Sequence, residues 1–197
     1  MELLSPQRQI LPFDERRDGL ILGEACAALM LAKNGTASMR YLGGACNTDS
    51  FSLTAANIDG STIAAVMKQA LADADRAAED VTAVKVHGTA SLLNDEAEAA
   101  GLLNVFDSAD IGLPTTFALK PYVGHTLGAC GAVEIALVHS AAMSGFIPAN
   151  EGVASKPSEL GVQLNQNTRD VKSETFVLNY FAFGGNNTSL IFEYGVQ

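Results

Sequence analysis

The sequence predicts a layered α/β domain built on a mixed β-sheet. Strand-like and helix-like segments alternate through most of the chain, and two strand-like runs follow one another at each end. The 48% apolar and 17% charged residues suit a well-buried globular core. The 197 residues are read as one domain, 1–197.

Residues 20–33, LILGEACAALMLAK, and 39–46, MRYLGGAC, read as two strands joined at Asn34-Gly35, a pair that accepts the positive φ of a tight hairpin. A polar loop then leads to a helix over 61–78. Its apolar positions Ile63, Val66, Met67, Ala70, Leu71 and Ala74 recur at helical spacing. VTAVKV, residues 81–86, is a short strand ending at His87. Asn94 can cap the next helix, with Asp95, Glu96 and Glu98 near its positive end, and that helix runs to about Phe106. TTFAL, 115–119, is another strand. The loop Lys120-Pro-Tyr-Val-Gly enters a helix from about His125 to Ser144, read as a buried core helix. Its Gly128, Ala129, Gly131 and Ala132 permit close contact with neighbouring elements. The stretch 146–170 is mostly loop, and final strands near 174–182 and 187–194 flank a Phe-Gly-Gly turn.

A net charge of −10 repels phosphate backbones and argues against nucleic-acid binding. Cys26, Cys46 and Cys130 form no CxxC pair and give neither a disulfide framework nor a metal site. Each lies among small residues and reads as a buried free thiol in a reducing, cytoplasmic compartment. MELLSPQRQILPF has no basic segment followed by an apolar run, so no signal peptide is expected, and the 127–146 stretch carries Glu134 and His139, so no membrane span is expected either.

Three polar turns fall where strands end, the usual place for catalytic groups in α/β folds. His87-Gly88-Thr89-Ala90-Ser91 follows a strand directly; alone, His87 reads equally as a packed histidine or a catalytic one. Lys120-Pro-Tyr-Val-Gly-His125 enters a helix, whose dipole would keep His125 neutral and able to donate to an oxyanion; alone, it reads equally as a capping histidine. Phe181-Ala-Phe183-Gly184-Gly185-Asn-Asn pairs glycines whose backbone N–H groups can approach a ligand, or simply turn a hairpin.

Taken together and in order, these segments resemble the β-ketoacyl-(acyl carrier protein) synthases. HGTAS with the later LLNDEAEA is similar to that family's first histidine motif. LKPYVGHTLGACGAVE is similar to its second, in which Lys120 precedes His125 by five residues and Glu134 follows by nine. NYFAFGGNNTSLIFE resembles the closing segment, and PFDERRDGLILGEACAALML the segment near the start of the C-terminal half.

The resemblance implies a thiolase-like half, a five-stranded mixed sheet layered between helices. The N-terminal half, with the nucleophilic cysteine, would lie outside this sequence. It implies no cofactor and no metal, and decarboxylative Claisen condensation of an acyl thioester with a malonyl group on acyl carrier protein. His87 and His125 would stabilise the enolate, with Lys120 holding their geometry. The Phe183 N–H would complete an oxyanion hole, with Phe181, Phe183, Gly184 and Gly185 gating the acyl pocket. Asp95, Glu134, Thr89 and Ser91 would support the histidine loops. Expected partners are the N-terminal half, acyl carrier protein, and a second subunit in a homodimer or heterodimer.

Ala182, Tyr180, Asn186 and Pro121-Tyr122 depart from the family pattern and bear on chain-length preference. Two other functions stay open, a non-condensing partner subunit resembling chain-length factors and a non-catalytic acyl or carrier-protein binding module. Arg16 and Arg17 are candidates for carrier docking, with a structural pairing of Arg17 to Asp14 or Asp18 as the alternative reading.

Overall fold

Period-two alternation along the strands assigns each side chain to one face of a sheet, and two apolar clusters result. The computed structural model describes residues 3–33, 37–107, 112–154 and 159–195. Its strands are β1 (Met39–Thr48), β2 (Ala83–Lys85), β3 (Thr115–Phe117), β4 (Phe146–Ile147), β5 (Arg169–Asp170), β6 (Glu174–Ala182) and β7 (Asn186–Tyr194). Its helices are α1 (Ser61–Asp73), α2 (Leu92–Phe106), α3 (Lys120–Val123) and α4 (Cys130–Met143). Five strands form one mixed sheet in the order β1-β7-β6-β2-β3. β1, β7 and β6 pair antiparallel, whereas β2 runs parallel to both β6 and β3. The carboxyl ends of β2, β3 and β6 therefore open on the same side.

On one face, Val84, Val177 and Ile191 pack under Ile63, Val66, Met67 and Ala70 of α1 and Leu102, Val105 and Phe106 of α2. On the other, Ala83, Phe117, Phe176, Leu178 and Phe192 pack with Val138 and Ala142 of α4. Lys85 follows Val84 and so falls on the α4 face, wholly buried. Among the described residues, no helix is long and apolar enough to cross a membrane.

The predicted layered α/β fold is present, and its departures are local. The segment 20–33 is not a strand: Leu20 and Leu22 make isolated bridges to Leu4 and His125, and no longer ladder forms among the described residues. β1 pairs instead with β7, and Asn34-Gly35 lies outside the described residues. Leu29, Met30 and Leu31 are left exposed. The first helix ends at Asp73, because Asp75 takes a positive φ of 51°. The second starts at Leu92 with Ser91 as its N-cap residue, so Asn94 sits within the first turn rather than capping it.

The last helix begins at Cys130, after a 3₁₀ turn over Leu127–Ala129, and not at His125. It buries a single stripe, Val133, Glu134, Val138 and Ala142, rather than its whole surface. Among the described residues, nothing lies within 4 Å of where a Cβ on Gly128 or Gly131 would stand, so the expected close packing is not seen there. The stretch 146–170 contains the small β4–β5 ladder. All three cysteines are free, but Cys26 and Cys46 are exposed and Cys130 is only partly covered. Alternation explains Cys46: Ala45 points into the core, so its neighbour on β1 points out.

Candidate active site

His87 lies two residues beyond β2 and Lys120 three beyond β3, so the parallel pairing of these strands brings them together. His125 is placed by backbone. Its N–H donates to the Ile21 carbonyl at 2.7 Å, and its own carbonyl accepts from the Gly23 N–H at 3.0 Å. The chains pass so closely that a Cβ on Gly23 would stand 2.0 Å from the Val123 carbonyl oxygen. Gly124 faces Gly23 with φ +72°, a conformation and a gap that only glycine fits. The segment that fails to form a strand thus serves to clamp the second histidine.

The two imidazoles meet edge to face, with ring centroids 5.5 Å apart, and the Phe181 ring lies 5.7 Å from His87 on another side. Lys120 Nζ donates to the His87 carbonyl at 2.6 Å and lies 3.3 Å from His87 Nδ1. The Leu127 N–H donates to His125 Nδ1 at 3.2 Å. With both Nδ1 atoms facing donors, the single proton of each neutral ring belongs on Nε2. Both rings are held neutral. Burial, reinforced by Lys120, Lys85 and His125, pushes His87 well below the ordinary histidine range. Burial and Lys120 push His125 down to about 4, against the opposing pull of Glu134. His125 does not stand at a helix terminus, so its neutrality comes from these sources rather than from the expected dipole.

Beneath the rings lies a buried ionic cluster. Glu134 accepts from Lys120 at 2.8 Å through Oε1 and from Lys85 at 2.5 Å through Oε2, and all three side chains are at most 1% exposed. Burial alone would raise the Glu134 carboxyl, but Lys85 and Lys120 together hold it below the usual range. Burial lowers Lys85 to about 8, against the opposing pull of Glu134 and with a smaller push from Lys120. It also donates to the Asn179 carbonyl at 2.7 Å and sits 3.7 Å above the Tyr180 ring centroid.

The His87 loop is held from α2. Glu98 accepts from the His87 and Gly88 N–H groups at 2.8 and 2.9 Å. Asp95 accepts from the Ala90 and Phe13 N–H groups at 3.2 and 2.9 Å. Both are fully buried, and burial raises Glu98 to about 7 and Asp95 to about 6. Thr89 Oγ1 and Ser91 Oγ lie 3.0 Å apart within the same loop. Ala90 takes φ 62°, an uncommon conformation for a residue with a Cβ, and the Asp95 contact to its N–H helps to fix it.

Phe183, Gly184 and Gly185 form the tip of the β6–β7 hairpin. Gly184 and Gly185 have φ 81° and 75°, and a Cβ on Gly185 would stand 1.8 Å from the Asp49 carbonyl oxygen. Phe181 is buried beside His87, whereas the Phe183 side chain is 59% exposed. Arg16, not Arg17, pairs with Asp14, at 2.9 and 2.8 Å through two nitrogens. The Arg17 guanidinium donates instead to the Asp14 backbone carbonyl, at 3.1 Å. Arg16 also donates to the Gly152 carbonyl at 2.7 Å, and its side chain stays more than half exposed.

Sequence reasoning gave Glu98 only a helix-end role and passed over Lys85 and Asn179. A lysine between valines in a strand that must be covered on both faces was the available signal for Lys85.

The profile of the beta-ketoacyl synthase C-terminal domain matches residues 39–154, more than half of the chain. The chain is 30% identical to 3-oxoacyl-[acyl-carrier-protein] synthase 2 of Vibrio cholerae over 95% of its own length and 48% of that protein. It is 28% identical to the chloroplastic 3-oxoacyl-[acyl-carrier-protein] synthase II of Arabidopsis thaliana, covering 95% of this chain and 36% of that one. Among solved structures, a beta-ketoacyl synthase from Burkholderia phymatum superposes with a TM-score of 0.78 at 30% identity, over 95% of this chain and 46% of that one. A ketosynthase from Xenorhabdus doucetiae, solved in complex with its chain length factor, gives a TM-score of 0.79 at 26% identity, covering 97% and 47%. The chain thus spans about half the length, or less, of the relatives it matches. With a thiolase-like mixed sheet and a matching domain profile, the chain belongs to the β-ketoacyl synthase family, as its C-terminal domain.

Proposed function

We propose that this chain is the C-terminal half of a condensing enzyme that joins an acyl thioester to a malonyl group on acyl carrier protein. The observation that carries the reading is the pair of neutral imidazoles, each with Nδ1 facing a donor and a proton left on Nε2, above a buried lysine. Two such N–H groups can converge on one oxygen. In the proposed reaction the acyl chain first forms a thioester with a cysteine of the complementary half. The malonyl carboxylate then leaves as carbon dioxide, and its bonding electron pair moves toward the thioester oxygen. His87 and His125 donate hydrogen bonds to that oxygen without giving up a proton. The enolate carbon then attacks the acyl carbonyl and expels the cysteine thiolate. On this reading the Phe183 N–H contributes to stabilising the second oxyanion, and Phe181 and Phe183 border the acyl pocket.

The complementary half and acyl carrier protein are the proposed partners, with a homodimer or heterodimer as the complete assembly. The coverage of about half of each relative supports the first, and a ketosynthase solved with its chain length factor supports a paired assembly. Retention of Lys120, His87 and His125 favours condensation over a partner subunit that only shapes the tunnel. Intact-mass analysis after incubation with an acyl thioester tests the division of labour. The chain alone should gain no acyl mass, and in the complete enzyme the label should map outside residues 1–197. Acylation of Cys46 or Cys130 would overturn the half-enzyme reading.

A further inference from the structure

The Glu134 carboxylate is shared between two buried lysines, and the proposed mechanism uses only one of them. Lys85 reaches it from the last position of β2, two residues before His87, and Lys120 from the start of α3. Lys85 is fixed from three sides, by Glu134 Oε2, by the Asn179 carbonyl and by the Tyr180 ring, whose hydroxyl in turn donates to the Gly131 carbonyl on α4 at 3.4 Å. A buried lysine with no task would be costly, since desolvating an ammonium must be offset by its partners. Here two cations meet one carboxylate, and Glu98, the next acid, accepts backbone N–H bonds with both of its oxygens.

We propose that Lys85 is a positioning residue of the histidine site: it occupies one oxygen of Glu134, commits the other to Lys120, and adds a second fixed positive charge beneath the two imidazoles. This rests on the condensing-enzyme reading for its purpose but not for its geometry. Lys85 at once orients Lys120 against His87 and sets a field that favours the neutral rings and a negative charge developing above them. The charged and titratable groups facing the imidazoles are Lys120, Lys85, Glu134 and each other. Glu98 meets the His87 backbone, and the Cys130 thiol and Tyr180 hydroxyl, both raised by burial, remain neutral near pH 7.

The test is an NMR titration of the imidazole nitrogens in the full chain, which reads both the tautomer and the midpoint of each ring. In Lys85→Met the His125 midpoint should rise by on the order of half a unit or more, because a cation is lost and Glu134 is left less compensated. The His87 tautomer signal should also broaden or shift as Lys120 loosens. Lys85→Gln, which keeps a donor for the Asn179 carbonyl, should move the midpoint in the same direction if the methionine variant does not fold. Unchanged midpoints and tautomers, even with a lower Tm, would overturn the proposal in favour of a purely structural lysine. So would failure of both variants to fold. In the complete enzyme, Lys85→Met should lower kcat for carbon dioxide release about tenfold or more with little change in KM. If the titrations shift but His87 and His125 prove unnecessary for that release, the condensing reading fails and the electrostatic role of Lys85 stands.

Discussion

At the scale of single residues, the site consists of two neutral imidazoles resting on a buried ion cluster, and each part has its own test. Between about pH 6.5 and 4 an unfolded chain takes up a proton that folded His125 refuses. The stability associated with neutral His125 is therefore fully present above pH 6.5 and is lost as pH falls through that window. Urea unfolding of wild type and His125→Gln at pH 7 and pH 5 should show wild type losing more stability on acidification. Comparing the two removes the opposite contributions of Glu98 and Asp95, whose raised values favour folding at low pH and are common to both proteins. Glu134→Ala leaves Lys85 and Lys120 buried without a carboxylate and should cost about 3–5 kcal/mol in the same assay. His87, His125, Lys120 and Glu134 were legible in the sequence because their motifs keep fixed spacing. Lys85 was passed over, because its one signal, a lysine between valines, speaks only once the strand is known to be covered on both faces. Only pairing of β2 on both edges, with α4 across its face, buries it.

At the scale of elements, helical periodicity correctly gave the buried face of α1, and the final strands near 174–182 and 187–194 are β6 and β7. The segment 20–33 misled because its apolar residues suit a strand, whereas strand formation also needs a partner edge. Among the described residues it finds no strand to pair with, making isolated bridges from Leu20 to Leu4 and from Leu22 to His125. The His125–Ser144 helix was placed early because a 3₁₀ turn shares the small-residue composition that precedes it. These elements differ in what they tolerate. Gly185→Val should destabilise the chain sharply, since its φ of 75° and the 1.8 Å approach to Asp49 leave no room for a side chain. Gly131→Leu should leave Tm of the isolated chain within a few degrees, because no atom of the described residues stands within 4 Å of its Cβ position. If a complementary half covers α4, the same substitution should weaken its association, which a pull-down of the two halves would read.

At the scale of the whole molecule, the chain exposes several large apolar residues. Met30, Leu31 and Leu53 are 95%, 78% and 81% exposed, and Phe51 and Phe183 are 62% and 59% exposed. We expect the isolated chain to self-associate and to bind a hydrophobic dye, both measurable by light scattering and fluorescence. A clean, dye-free monomer would mean that the half is self-sufficient. The sequence foretold the fold class through its alternation of elements, but whole-molecule exposure depends on where each apolar residue falls in the fold and could not be read from composition. The central claim is that the two histidines serve decarboxylation. It is tested most directly by carbon dioxide release from malonyl-acyl carrier protein in the complete enzyme, with acyl transfer measured on the same samples. His87→Ala and His125→Ala should each slow release by about a hundredfold or more while acyl transfer falls far less. Equal loss in both half-reactions would contradict the account and reduce the histidines to structural residues.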